Sequence, residues 1–435
     1  MATNGADTAA LSGLAKDVFE QGVTELANNM FPLAKEFPTE QVDWKGGEGH
    51  VWAAHVSRNT SPFFAGEDSA YPVAGHQTHV KGRIDMRKMM ARIRMTEEAM
   101  SDLVSSEASF RNGMTDEKTR LADDVAKKEE YALSNDGRGV LGVLNGTHNA
   151  VTTLTLKNPG NVPGANFGNR FFFTGQIVLA VNPATGLLRT TAVTITSTDS
   201  AGATCVCSPA TGTDWADADY VVQVAATTST DILDSSYEKA FWGLPALIDD
   251  NTNRDNYFGI SRTQFGNLKS YVKASVGAFS LDTAQLTADV AYEKLGGEID
   301  LLLMHQSVRR EYIKLLQDDR RYAGADLKSP DGGTKAMKQG DLTLGEVPVK
   351  AIRTLGLGQV YFLDTKKSGF KRYVAEPGKF MDRDGSIWLR EGTGASARHA
   401  YEATYFMRKQ YFCKNPGYNA RWDGVNATLV VVRDE

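Results

Sequence analysis

Histidine and cysteine are the side chains best suited to hold a metal or move a proton at neutral pH, and the chain has seven of the first and three of the second. The histidines are His50, His55, His76, His79, His148, His305 and His399, and no two of them form an H-E-x-x-H pair. His76 and His79 are three apart, but the residues around them alternate as in a strand, where positions i and i+3 point to opposite faces. Cys205 and Cys207 form a C-x-C in a Thr-rich, β-like stretch, so both face the same side. A metal there needs about two more ligands, and none is close in sequence. The pair reads as small buried apolar residues. With Cys413 the cysteines are odd in number and lack framework spacing, which fits a reducing compartment rather than a disulfide scaffold.

Other catalytic signatures fail on context. Gly137, Gly139 and Gly142 approach a G-x-G-x-x-G phosphate loop, but a helix precedes them and a Thr-rich β segment follows, the reverse of what that loop requires. Asn135–Gly146 therefore reads as a turn and linker. There is no G-x-S-x-G nucleophile elbow and no Walker A pattern. His305 ends an apolar strand just before a capped helix and reads as a structural histidine. The expectation is a chain with no catalytic, cofactor-binding or metal site, and not an enzyme.

Charge chemistry is the remaining possibility. Arg83, Arg87, Lys88, Arg92 and Arg94 crowd one segment, where they would suit phosphates or acidic partners. The whole chain is nonetheless slightly acidic, with 48 basic against 53 acidic residues and a net charge of -5. A protein that grips nucleic acid along its length is usually basic, because affinity comes from neutralised phosphates. Tyr401, Tyr405, Phe406, Tyr411 and Phe412 would stack on bases, but a sheet core is the simpler reading of them.

The elements that must position these residues are legible in part. At 435 residues the chain exceeds one core, so two or more domains are expected. A content of 41% hydrophobic and 23% charged residues is ordinary for a globular protein. No apolar run approaches bilayer length and no signal-peptide pattern opens the chain, so the expectation is a soluble protein made in the cytoplasm. Leu14, Val18, Phe19, Val23 and Leu26 recur at helical spacing from Leu11, until Pro32 and Pro38 break the pattern. Residues 43–95 read as a long β-hairpin. Val51, Trp52 and Val56 lie in its first strand, Asn59–Pro72 forms a loose tip, and Val80, Gly82, Ile84 and Met86 alternate with charged residues on the return. Such a ribbon is barely stable alone and implies a neighbour to lie on.

Thr96 reads as the N-cap of a helix to about Phe110, and Thr115 as the cap of a second helix to about Ser134. The second carries Asp116–Arg120, Asp123–Lys127 and Asp124–Lys128 pairs and a thin stripe of Leu121, Val125 and Ala132. Residues 150–226 are rich in Thr, Val, Ala and Gly. They suggest strands at Val151–Leu156, Phe171–Val181, Leu187–Ile195, Ala203–Cys207 and Asp219–Val224, hence a small barrel or sandwich. Beyond them the pattern is mixed α/β. It includes a helix at Leu281–Leu295 with Leu286 and Val290 on one face, a strand at Ile299–Met304, and a helix capped by Ser307 through Leu316. Tyr322–Gly340 reads as a mobile loop, Val347–Ile352 and Val360–Leu363 as strands, and Ala397–Phe412 as one long strand.

This order of elements resembles the Hong Kong 97 phage capsid family. Arg94–Met100 is similar to the step from that family's extended loop into its helix, and Ser134–Gly139 with Gly142–Asn145 to the glycine segment after its spine helix. Gly243–Ile248 resembles the entry to the axial domain, and Asp300–Glu311 the strand–helix step inside it. The resemblance covers nearly the whole chain except residues 150–226.

It implies an α+β fold with an N-terminal arm (1–42), an extended loop and the start of the peripheral domain (43–95), and a peripheral domain with spine helix (96–145). An inserted β domain (146–227), an axial domain (228–370) and return strands (371–435) complete it. It implies a major capsid protein of a tailed phage, assembling in the host cytoplasm into pentamers and hexamers of an icosahedral shell around double-stranded DNA. It places Trp52, Phe63, Lys81, Arg83, Arg87, Lys88 and Arg92 among the inter-subunit contacts.

The arm begins near Met1, without the hundred or so extra residues of members that carry a fused scaffold, so a separate scaffolding protein is expected. A portal and a decoration protein are the other expected partners. Lys45, Lys81 and Asn415 supply no spacing for a Lys–Asn cross-link, and non-covalent reinforcement is expected instead. Two alternatives are an encapsulin-type compartment, which shares the fold, and a β-rich adhesin, which leaves the charged helix unexplained.

Overall fold

The computed structural model describes residues 33–42, 49–98, 113–159, 168–199, 202–322, 343–344, 346–381, 389–390 and 399–427. The helix expected from Leu11, Lys45, most of the helix expected after Thr96 and nearly all of the Tyr322–Gly340 loop lie outside them. The chain divides into two compact units. One comprises Met1–Met30, Ala91–Ala126 and Phe380–Tyr405, the other Phe31–Met90, Lys127–Lys379 and Phe406–Glu435.

In the smaller unit, Leu389–Arg390 pairs antiparallel with the start of strand Ala400–Cys413, Leu389 opposite Glu402. The Met381 N–H donates to the Thr404 carbonyl at 2.8 Å. Phe380 meets Tyr405 edge-on, and the Lys118 ammonium of helix α1 (Gly113–Leu133) lies 5.7 Å from the Phe380 ring centre. α1 begins before Thr115, the residue expected to cap it.

Two of the cores in the larger unit are built on β-sheets. The first is a closed antiparallel barrel, in the order Tyr220–Gln223, Val140–Leu144, Thr153–Lys157, Thr204–Ser208, Val193–Thr198 and Ile177–Val181. Its strands alternate as period two demands: Leu154, Leu156, Val193, Ile195, Cys205 and Cys207 are buried, while Val206 between the cysteines is exposed. Three expectations need correction. Val140–Leu144 is a barrel strand, not linker, so the barrel starts upstream of residue 146; Gly142 sits in it because Phe172 presses on that point, and an added Cβ would lie 2.9 Å from the ring. Phe171 and Phe172 are not strand residues; they stand in a turn and plug the barrel core. The strand expected over Leu187–Ile195 is Val193–Thr198.

The second core lies on a six-stranded mixed sheet, in the order Tyr271–Lys273, Ala420–Trp422, Val360–Leu363, Leu301–Met304, Val347–Ala351 and Thr343–Leu344. Helices α2 (Leu281–Leu295) and α3 (Gln306–Tyr322) lie against it, with Ala284, Val308 and Tyr312 joining Leu302, Phe362 and Trp422 in one cluster. The stripe expected on α2 is displaced. Its buried residues are Ala284, Thr287 and Ala291, and Leu286 is 52% exposed. Small residues let the helix sit close over Trp422, whose indole N–H donates to the Thr287 hydroxyl at 2.8 Å. α3 starts one residue before Ser307. His305 occupies the capping position, and its Nδ1 accepts the Ser307 N–H at 3.2 Å.

Two buried arginines hold the Gly243–Ile248 segment, Arg421 from this sheet and Arg262 from just after strand Ile260–Ser261. Arg262 donates to the carbonyls of Ala246 and Leu247, and Arg421 to those of Pro245 and Ile248. Both face Asp249, at 3.6 and 3.3 Å. Buried charge is tolerable only when paired and hydrogen-bonded, as it is here.

Candidate assembly surface

The hairpin is built from His50–Ser57 and Thr78–Ile84, paired antiparallel with Trp52 opposite Gly82 and His55 opposite His79. One face is buried: Trp52, Ala54, Gly82 and Ile84. The other presents Val51, Ala53, His55, His79, Lys81 and Arg83 to solvent. Trp52 packs edge-on against Tyr257 and Phe412, with ring centres 6.0 and 5.0 Å away. Gly82 makes this possible, because a Cβ there would lie 2.2 Å from the Trp52 indole nitrogen and 2.8 Å from the Phe258 carbonyl. The Arg83 N–H donates to that carbonyl at 2.7 Å, fixing the return strand to the body.

Beyond the paired strands, residues 58–77 form a loop closed at its neck by Asn59. Its side-chain amide donates to the Gly75 carbonyl at 3.0 Å, and its Oδ1 accepts the Ser61 N–H at 2.9 Å. Past the neck, Phe63 is 51% exposed, Val73 90%, and Phe64 and Tyr71 fully. Scattered exposed apolar residues are normal, but several large ones in one loop make it the candidate contact surface.

The basic segment is not one patch. Strand Arg87–Thr96 pairs with Ala400–Cys413, and its side chains alternate between two faces. The Lys88 ammonium sits 5.9 Å from the Phe406 ring centre. Arg92 pairs with Glu402. Arg87 turns to the opposite face, towards Glu238 and Arg254. Of the seven residues expected in contacts between subunits, Phe63, Lys81 and Arg83 are on the surface and Arg87 is half-buried. Lys88 and Arg92 are exposed but engaged within the chain, and Trp52 is part of the subunit's own core. The sequence reading missed Trp242, Arg254 and Phe258 beside the hairpin base, since no local spacing announces contacts made some 170 residues away in the chain. The isolated Gly82 within a strand was a usable signal of close approach.

The described part of the N-terminal segment is latched by a carboxylate. Glu130, on α1, is buried and accepts the N–H groups of Leu33 and Ala34 at 3.0 and 3.1 Å. Burial raises its pKa to about 7, with the two backbone donors opposing the rise. Glu129 beside it holds Lys409 at 2.7 Å and accepts from the Tyr411 hydroxyl. Phe37 packs edge-on against Phe370 and Tyr411.

The residues singled out for other chemistry sit in packed surroundings. Burial pushes the Cys205 and Cys207 thiols up to about 12 and about 11, away from thiolate chemistry. Burial, with the Arg170 charge nearby, lowers His305 to about 4, so it caps α3 as a neutral ring. Among the described residues no three His, Cys, Asp or Glu are grouped to hold a metal ion, and no helix is long and apolar enough to cross a membrane.

No protein-family model matches this chain, and no curated protein matches it. Solved structures do. A capsid asymmetric unit of cyanophage A-1(L) aligns over 98% of this chain and 99% of its own, with 11% identity and a TM-score of 0.53. The capsid of a native GTA particle aligns over 98% and 100%, with 12% identity and a TM-score of 0.49. The holo-SrpI encapsulin complex from Synechococcus elongatus aligns over 97% and 96%, with 10% identity and a TM-score of 0.45. The last two fall below 0.5, and the first carries the comparison. Its low identity limits the likeness to architecture, and it runs almost end to end: the chain has the mixed α+β fold of a phage capsid protein.

Proposed function

We propose that this chain is the major capsid protein of a tailed phage, a non-enzymatic subunit that assembles into the pentamers and hexamers of an icosahedral head around double-stranded DNA. The observation that carries this is the hairpin. Its base is locked into the chain's own aromatic core, while its 58–77 loop holds Phe63, Phe64 and Tyr71 in solvent. Such a loop belongs on another copy. A contact in which one patch meets a different patch of the next copy is heterologous, and it closes into rings when the rotation allows. Many weak repeats then make a stable shell.

In this reading the hairpin is the extended loop, α1 the spine helix, the barrel an inserted domain and the six-stranded sheet the core of the axial domain. Lys81 and Arg83 on the outer face of the hairpin meet neighbours. Scaffolding, portal and decoration proteins are its partners in this reading, and the acidic net charge suits a wall along which packed DNA slides.

The test is to express the chain with and without its phage's scaffolding protein, then image and fractionate the particles. The reading expects shells that hold DNA when packaging is complete. Particles holding a cargo protein and no DNA would assign the chain to a compartment instead.

A further inference from the structure

Sequence spacing sets His76 beside His79, but the register of the hairpin joins His79 to His55 instead. These two stand directly opposite one another on antiparallel strands, with ring centres 5.1 Å apart and the rings tilted at 47°. Both side chains are exposed on the outer face of the ladder, away from the face that packs on the body. Among the described residues neither imidazole has a hydrogen-bond or ion-pair partner. Other histidines are committed. His148 accepts the Thr155 N–H at 2.9 Å, His305 accepts the Ser307 N–H, and His399 pairs with Glu97 at 2.9 Å. The register also shifts between His55 and Ser57, and a bulge of this kind re-aims the side chains beside it.

The spacing is that of a chelate. A metal ion about 2.0–2.1 Å from one nitrogen of each of two imidazoles, at the tetrahedral angle, holds the ring centres about 5 Å apart. Residues opposite in an antiparallel pair have Cβ atoms about 4.5–5.5 Å apart, so the strands themselves supply the separation. The neutral imidazole nitrogen is a ligand for zinc, copper and nickel. Two cations share this face, and Arg83 is turned onto Asp85 at 3.2 Å, which leaves Lys81 as the competing charge.

We propose that His55 and His79 form a two-histidine site for a divalent transition-metal ion, with water completing its coordination. The pair lies between the base locked by Trp52 and Gly82 and the neck closed by Asn59. An ion there clamps the two strands where the loop carrying Phe63, Phe64 and Tyr71 departs, and stiffens the stem of that loop. The site is complete within one chain and does not rest on the shell reading.

Calorimetric titration of the unassembled full-length chain with Zn²⁺, together with hydrogen exchange over residues 50–57 and 78–84, tests the proposal. The wild type is expected to bind one more Zn²⁺ than the His55→Ala/His79→Ala double variant, and Zn²⁺ is expected to slow exchange in both strands. Either single variant keeps one imidazole and is expected to weaken binding about tenfold or more. Lys81→Ala, which removes a like charge, is expected to tighten it, and this opposite sign keeps the test open should a histidine variant fail to fold. His76→Ala is expected to change nothing. Equal binding by wild type and double variant, equal weakening by His76→Ala, or exchange in the two strands unmoved by Zn²⁺ would overturn the proposal.

Discussion

The barrel and the hairpin are both antiparallel β structures in the same unit, and they solve opposite problems. The barrel closes on itself, so no strand edge is left unpaired, and its apolar side chains fill its interior around Trp215, Phe171 and Phe172. Its polar contacts are internal as well. Arg189 forks onto Asp219 at 2.8 and 3.0 Å, and the Trp215 indole donates to the Thr190 carbonyl at 2.9 Å. The hairpin is satisfied only at its base, and its loop leaves four large apolar side chains in water. The barrel's buried side chains stabilise the subunit itself, whereas the loop's exposed apolar side chains add nothing to the subunit's own core.

The largest effect expected from this contrast is a separation of folding from assembly. Changing Phe63, Phe64 and Tyr71 together to Ser is expected to abolish particles while moving the stability of the isolated subunit by no more than about 0.5 kcal/mol, as for exposed sites generally. Sedimentation and thermal unfolding measured side by side check this, and a large loss of subunit stability would break the comparison. In the barrel the order reverses. Trp215→Ala is expected to cost about 3–5 kcal/mol of folding stability through the cavity it leaves, read from denaturant unfolding. At the hairpin base Gly82→Ala drives a methyl group into Trp52 and the Phe258 carbonyl. A loss of about 1–3 kcal/mol is expected for such overpacking, with raised hydrogen exchange over residues 50–57 and 78–84.

The smallest effect concerns pH and compares two buried groups of opposite sign. Glu130 has a raised pKa, so the folded chain binds its proton more readily than the unfolded chain does. Its contribution is full below about 4.5 and is lost as pH rises towards about 7. His305 has a lowered pKa, so its contribution is full above about 6.5 and is lost as pH falls towards about 4. Each is worth on the order of 3 kcal/mol, and over pH 4.5–6.5 they oppose one another. Glu130→Gln is therefore expected to make stability rise with pH across that window, and His305→Gln to make it fall. Unfolding measured at several pH values gives both slopes, and equal slopes in the two variants would contradict the assignment.

Legibility in the sequence followed the range of the interactions. The return strand of the hairpin was readable because Val80, Gly82 and Ile84 alternate with Lys81, Arg83 and Asp85, and alternation is a local property. The inward pair Cys205 and Cys207 was readable for the same reason. Val140–Leu144 was not, because Gly142 looks like a turn residue until Phe172 is seen to occupy the space beside it. On α2, hydropathy pointed to Leu286, whereas the close approach of Trp422 selects Ala284, Thr287 and Ala291. A cavity at the hairpin base was hidden for a different reason. Arg87 and Arg254 lie far apart in the chain and line the same cavity because the hairpin folds onto the segment around Phe258, so composition could show that basic residues were present but not that these two share a cavity.

The central claim is that the 58–77 loop of one copy seats on another. The most direct measurement is an electron cryomicroscopy map of particles assembled from the purified chain, alone or with scaffold. The expected shell has Phe63, Phe64 and Tyr71 of each copy buried against a neighbour. Particles in which those side chains stay in solvent, or discrete monomers under every assembly condition, would contradict it.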